Sequence, residues 1–191
     1  DDGSCTYNSD TWYVSIDGDN TNCGSESAPL SSIQNAINLS QDGDTILVSE
    51  GTYYENLDPS GKNLYITGVN RENTKINGNG GIALNINLQE NITISNLTML
   101  GGRGVVVSSS SEAILDNVNL ENNNYSNGEG AGLFVNENSS VIVRNSIIRN
   151  NVSNRGGGFF CSNGTSTFEN VIFDSNTAEI GGGIYLENSQ L

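Results

Sequence analysis

Apolar residues in the second half of the chain come in short runs framed by Gly, Asn and Ser. Leu133-Phe134-Val135, Phe159-Phe160-Cys161 and Ile184-Tyr185-Leu186 are such runs, and so are Ile82-Ala83-Leu84 and Val105-Val106-Val107 earlier on. All are too short for helices and read as strands. Each but the last is followed by a second and third strand meeting at an Asn-centred bend: Ile94-Ser95-Asn96-Leu97, Leu115-Asp116-Asn117-Val118, Val143-Arg144-Asn145-Ser146 and Phe168-Glu169-Asn170-Val171. Gly156-Gly157-Gly158-Phe159 returns as Gly181-Gly182-Gly183-Ile184, and 184 − 159 gives a period of 25 residues. A supersecondary unit that cannot bury its own apolar face, repeated at such a period, predicts a solenoid. Three short strands per coil predict an all-β fold with three parallel sheets around a narrow core. Each strand would pair with the coils above and below, about 4.8 Å away.

Stacked coils turn sequence positions into columns. Met99, Leu120, Ile148 and Phe173 form one interior column. Asn96, Asn117, Asn145 and Asn170 form another, at bends where Asn tolerates a left-handed backbone. Their amides are expected to bond one another in a ladder that satisfies buried polar groups. Asn123, Asn151 and Asn176 follow the interior column at a constant offset of three. The middle residues of the first strands, Ala83, Val106, Phe134, Phe160 and Tyr185, then form an outward stripe, apolar and increasingly aromatic. Contiguous exposed apolar surface marks contact sites, so Phe134, Phe160 and Tyr185 are the candidate binding residues, with Asn136, Ser162 and Glu187 beside them. A cover over the stripe by loops or by sequence further downstream, or a parity locally reversed by a bulge, is the alternative.

The first third of the chain lacks this periodicity. Residues 1–61 read as a strand (Trp12-Tyr13-Val14-Ser15), a turn-rich segment and a capping helix, and residues 62–191 as the coils of one continuous domain. Ser31 and Gln34 fit a capping box after Pro29. Leu30, Ile33, Ala36 and Ile37 make an apolar stripe able to cover the first coil's open end. Asp17, Asp19, Asn20 and Asn22 carry oxygen side chains at a spacing compatible with a calcium loop, with a hydrogen-bonded Asx turn as the competing reading. The last glycine triplet opens a coil that the sequence does not complete, so a fragment, or a cover for that coil, is expected.

Composition narrows the function. The formal net charge is −15, with seven Lys and Arg and no His. Such a chain would be repelled by nucleic-acid phosphates, and no apolar run approaches the roughly 20 residues of a membrane-spanning helix. Cys5 and Cys23 flank one short segment and are expected to close a disulfide, which places the protein outside the reducing cytosol. Cys161 is expected to be a buried, inert thiol. No catalytic constellation stands out. In register, Arg144 falls between Asp116 and Glu169, and Arg149 between Glu121 and Asp174, the pattern of exposed ion-pair ladders. Arg103 and Arg155 fall in loops and have no assigned role.

These residues resemble the right-handed parallel β-helix superfamily, the pectin-lyase-like fold. The segment from Trp12 through Gly18, then Pro29 to Ile37 and Gly43 to Tyr53, is similar to the amino-terminal cap of secreted members. The pairing of Gly181-Gly182-Gly183-Ile184 with Phe173-Asp174-Ser175-Asn176 is similar to the GGA(I/L/V) and FxxN repeats of polymorphic outer-membrane proteins, surface-displayed passengers linked to adhesion. Leu120 and Ile148 replace the Phe, and Ala131-Gly132 interrupts one glycine run. The resemblance implies a secreted or cell-surface β-helix that displays a binding or adhesion surface to a glycan or protein partner. It is expected to be non-catalytic, with no required cofactor. The resemblance also leaves two alternatives open: an enzyme acting on anionic glycans, and a subunit stacking end to end.

Overall fold

The computed structural model describes residues 10–191. Cys5, one half of the expected disulfide, lies outside them. The described residues wind as a parallel β-solenoid, with one short helix near their start. Four sheets run along it. Sheet I has seven strands, from Thr11–Val14 to Thr165–Glu169, and sheet II has six, from Gly51–Tyr54 to Ile172–Asp174. Sheet III has three: Asn124–Glu129, Val152–Arg155 and Thr177–Ile180. Sheet IV has five: Ile82–Ile86, Arg103–Val107, Leu133–Asn136, Phe159–Ser162 and Ile184–Glu187.

Sheets I, II and IV are the three expected ones; sheet III is an addition. Its strands are the return segments, which show no apolar alternation because they bury little. They are strands through backbone pairing with the neighbouring coil, Val152 opposite both Asn124 and Thr177. The inward positions follow the columns read from sequence. Ile76, Met99, Leu120, Ile148 and Phe173 stand in one register line of sheet II. Within Ser140–Arg144 only Val141 and Val143 are buried, the alternation a strand with one dry face requires.

Two local readings are corrected. The helix spans Ile33–Leu39, and its N-cap is Ser32 rather than Ser31. Leu30 still belongs to the solenoid, bridging Val14, so the chain cannot turn into the helix until two residues later. The Ser32 hydroxyl accepts from the Asn35 amide, 3.1 Å away. The role expected of Gln34 falls to a distant carboxylate, Glu55, which accepts from the Ile33 and Gln34 amides at 2.9 Å each and from the Ser32 hydroxyl at 2.8 Å. Ile33, Ala36 and Ile37 are fully buried, closing the first coil as expected.

The second correction is one of register. Val106 stands opposite Asn85, not Ala83, because Leu84 pairs with Val105 and Ile86 with Val107. Ala83 is buried instead.

One turn, residues 69–73, reaches beyond its own coil. Its Arg71 carbonyl accepts from the Thr98 hydroxyl at 2.7 Å, and the Glu72 carboxylate accepts from the Asn119 amide at 3.3 Å. Arg71 Nη1 donates to the Asn145 carbonyl at 3.1 Å. This strap explains why Thr98 and Asn119, on the outer face of sheet II, are nonetheless buried.

Candidate functional site

The aromatic column forms on the outer face of sheet IV. Phe134, Phe160 and Tyr185 share one register line. Their rings stack nearly parallel, 5.3 Å apart for the first pair and 5.4 Å for the second. The spacing is that of adjacent strands with a small offset, an arrangement aromatic pairs favour. The stripe is not open to solvent along its length, however: Phe160 is only 1% exposed. Gly130, Gly156 and Gly181, all at φ near +60°, turn the chain from sheet III into sheet IV directly against it. A Cβ on Gly156 would lie 2.9 Å from that of Phe160, and one on Gly181 3.0 Å from that of Tyr185. The glycines therefore serve both left-handed turns and close approach to the rings.

Arg103 and Arg155, left without a role by the sequence, complete this cover. The Arg103 guanidinium lies 4.0 Å from the Phe134 ring centroid and 4.6 Å from that of Tyr125. Its Nε donates to the Gly130 carbonyl at 3.1 Å, and its Nη2 to the Glu129 carbonyl. Asn124–Glu129 is the first strand of sheet III, so these carbonyls face the side where no further strand of that sheet lies. Arg103 stands in for that missing strand, satisfying acceptors that a bare edge would expose. Burial pulls its pKa down to about 10, which still leaves it charged at neutral pH. Arg155 lies 5.3 Å from the Tyr185 centroid and 5.5 Å from that of Phe160, and pairs with the Glu129 carboxylate. Hydrogen bonding to Tyr185, and then the charge of Glu129, outweigh partial desolvation and hold its pKa above the usual guanidinium value. Glu129 and Arg155 are register partners immediately before Gly130 and Gly156. That opposite-charge pair was findable in the sequence from the repeat alone.

Sheet III is irregular here. Tyr125 pairs with Ser153 and Glu129 with Arg155, so the lower strand holds extra residues around Asn127 and bulges outward. Between the bulge, Asn154 and the stack lies a cleft of about 440 Å³ lined by Arg103, Tyr125, Asn127, Glu129, Phe134 and Arg155. Tyr125 is 41% exposed at its rim. The charged groups in the cleft are all engaged, by the carbonyls, carboxylates and rings just described. The Tyr125 hydroxyl and the carboxamides of Asn127 and Asn154 make no hydrogen bond to any described residue.

The other sequence candidates fall elsewhere. Asn96, Asn117, Asn145 and Asn170 all have left-handed backbones, with φ of 56, 54, 50 and 54°. Their ladder is broken and lies at the surface. Asn117 donates to Asn96 at 2.7 Å and Asn170 to Asn145 at 3.4 Å, but Asn145 donates to Asp116. The buried ladder is the other column. Asn123 Nδ2 donates to Asn151 at 3.0 Å, and Asn151 Nδ2 to Asn176 at 2.9 Å, with the backbone amides of both joining in. The amides also donate to carbonyls of the preceding coil, those of Met99, Leu120 and Ile148.

In the loop proposed for calcium, Asp19 Oδ1 accepts from the Thr21 amide and hydroxyl, and Asn20 Oδ1 accepts from the Ser31 and Ser32 amides. Asn22 presents its NH₂ to the Pro29 carbonyl, 2.9 Å away, and Asp17 is engaged through its backbone amide by Ser15. The arrangement is that of an Asx turn pinning the segment to the helix start. Among the described residues no group of three or more His, Cys, Asp or Glu comes together. Cys23 is disulfide-bonded. Cys161 is free and buried, and burial pushes its thiol pKa up. Arg144 lies 3.0 Å from Glu169 and Arg149 2.6 Å from Glu121, as rungs on the solenoid's outside.

Residues 21–191 match the family model described as the right handed beta helix region. The chain belongs to the right-handed β-helix family. No curated protein and no solved structure matches it. Membership accounts for the coils and their parallel sheets; the aromatic–arginine cleft is a feature of this chain's own side chains.

Proposed function

We propose that this right-handed β-helix works by holding a partner and not by turning it over, as a secreted or cell-surface protein that displays an adhesion-type binding surface to a glycan or a protein. The observation that carries the reading is the cleft beside the bulged strand. Insertions within one repeat of a stacked array project from a single face, and that face is commonly the one that binds. Here the insertion falls beside the aromatic stack, on a wall fixed by arginine–ring and arginine–carbonyl contacts, so a bound partner would meet a pre-formed surface. The carboxylate of Glu129, the one acidic group lining the cleft, is already engaged by the Arg155 guanidinium.

The test is binding of the labelled chain to an array of glycans and extracellular proteins, with Tyr125→Ala as the variant. Tyr125 is exposed at the rim, so the far-ultraviolet spectrum should be unchanged while affinity falls about tenfold, roughly 1.4 kcal/mol. Undiminished binding by Tyr125→Ala would remove the cleft from the account. Release of new reducing or unsaturated sugar ends from a bound glycan would show catalysis and overturn the non-catalytic part.

A further inference from the structure

The division of labour among the cleft's polar groups defines the ligand's chemical class. Every ionised group there already has its counterpart. Arg103 is bonded to two main-chain carbonyls and enclosed by the rings of Tyr125 and Phe134. Arg155 faces Glu129, with Glu187 4.0 Å away on its other side. An anionic ligand would have to break one of these pairings to gain a cation, and it would approach a molecule of formal net charge −15. A cationic ligand would have to displace Arg155 from Glu129. The unengaged groups are all neutral: the Asn127 and Asn154 carboxamides and the Tyr125 hydroxyl. Each carboxamide offers donors and an acceptor side by side, and the phenol offers one of each. Such a set complements neighbouring hydroxyls, which also donate and accept, and the half-exposed Tyr125 ring adds an apolar surface for the C–H face of a sugar ring.

A peptide is the competing occupant, and the natural way for one to bind a sheet is to add a strand along its edge. The edge that borders this cleft is closed to that mode, since the Glu129 and Gly130 carbonyls are taken by Arg103 and the strand bulges beside Asn127. Resting on the reading of the cleft as a binding surface, we infer that its ligand is an uncharged polyhydroxylated chain, a neutral polysaccharide, recognised by Asn127, Asn154 and Tyr125 without any ionic contact.

Affinity electrophoresis of the full chain through gels containing a neutral galactomannan, a neutral β-glucan or a xylan, and in parallel polygalacturonate or alginate, tests this. Retardation is expected in at least one neutral gel and in neither anionic one. It should change less than about twofold between roughly 0.05 and 0.5 M salt, since no ion pair is formed. Asn127→Ala combined with Asn154→Ala should weaken it about tenfold; both residues are outside the core, and an unchanged thermal midpoint confirms the fold. Retardation in the anionic gels that fades with salt would overturn the charge class while leaving the cleft as the binding surface. Retardation in a neutral gel that the double variant leaves intact would overturn the recognition by these residues. No retardation in any gel would overturn the inference, and binding of the same sample to an extracellular protein on the array would show that the broader reading survives it.

Discussion

Asn151 shows how much a single side chain can do in a solenoid. It has no solvent exposure, its amide hydrogens reach Leu120 and Asn176, and its oxygen receives the main-chain and side-chain amides of Asn123. Asn151→Ala would strip partners from donors and acceptors on the coils directly below and above its own. An unpaired buried polar group costs about 1–3 kcal/mol, so a loss of about 3–5 kcal/mol is expected in urea denaturation. Asn170→Ala, at the exposed end of the other column, should cost less than about 1 kcal/mol. Equal effects would show that burial does not distinguish the two columns. Both columns were visible in the sequence as regularly spaced asparagines. What the sequence could not show was which was buried, because that depends on the side-chain layer facing each turn. The bend at Asn96, Asn117, Asn145 and Asn170 points its amides outward, while the turn at Asn123, Asn151 and Asn176 points them into the wall between sheets II and III.

The helix is an element that the rest of the chain completes. Ile33–Leu39 has no acidic residue in its first turn and at seven residues is too short to be stable alone. Glu55, 22 residues after Ile33, supplies the acceptor for its first amides. Glu55→Ala should therefore cost about 1–2 kcal/mol, in the range of a lost N-cap, seen as a lower thermal midpoint with fraying of the helix in amide exchange. A change confined to a few tenths would mean that water replaces the carboxylate at no loss. Sequence reasoning found the helix through its apolar stripe and missed Glu55, since nothing local links a residue on the far side of the first coil to an amide at a helix start. The strap at residues 69–73 escaped notice for the same reason. Its Arg71 and Glu72 look like ordinary turn residues until the coils stack and bring Asn119 and Asn145 beneath them.

At the scale of the whole molecule the strands pair only with those of adjacent coils, the strap at residues 69–73 alone among the described contacts named above reaching further, so stability is close to a sum of coil and interface contributions. Removing residues 156–180 deletes one period of 25 residues and joins Arg155 to Gly181, preserving every column. The shortened chain is expected to fold with an unchanged parallel-β spectrum and a lower midpoint. A deletion of 24 or 26 residues at the same place should cost more stability, because it turns the inward side chains of the strand that follows, Ile184–Glu187, outward. If both fold equally well, the columns are not what sets the register. The cleft belongs to this scale too. Its parts come from Arg103, the bulge at Tyr125–Glu129, Phe134 and Asn154-Arg155, three consecutive passes of the chain.

The sequence by itself determined the repeat, and with it the solenoid, the inward columns, the arginine rungs of Arg144 and Arg149 and the aromatic line of Phe134, Phe160 and Tyr185. All of these follow from spacing, since one period fixes what stands above what. Only the tertiary structure decided what covers each line. It placed Asn85 and not Ala83 opposite Val106, gave the polar return segments a sheet of their own, and laid Arg103 and Arg155 over the rings. Stacking is a contact between distant parts of the chain, and a polar segment with no alternation carries no local sign of the neighbour its backbone will pair with.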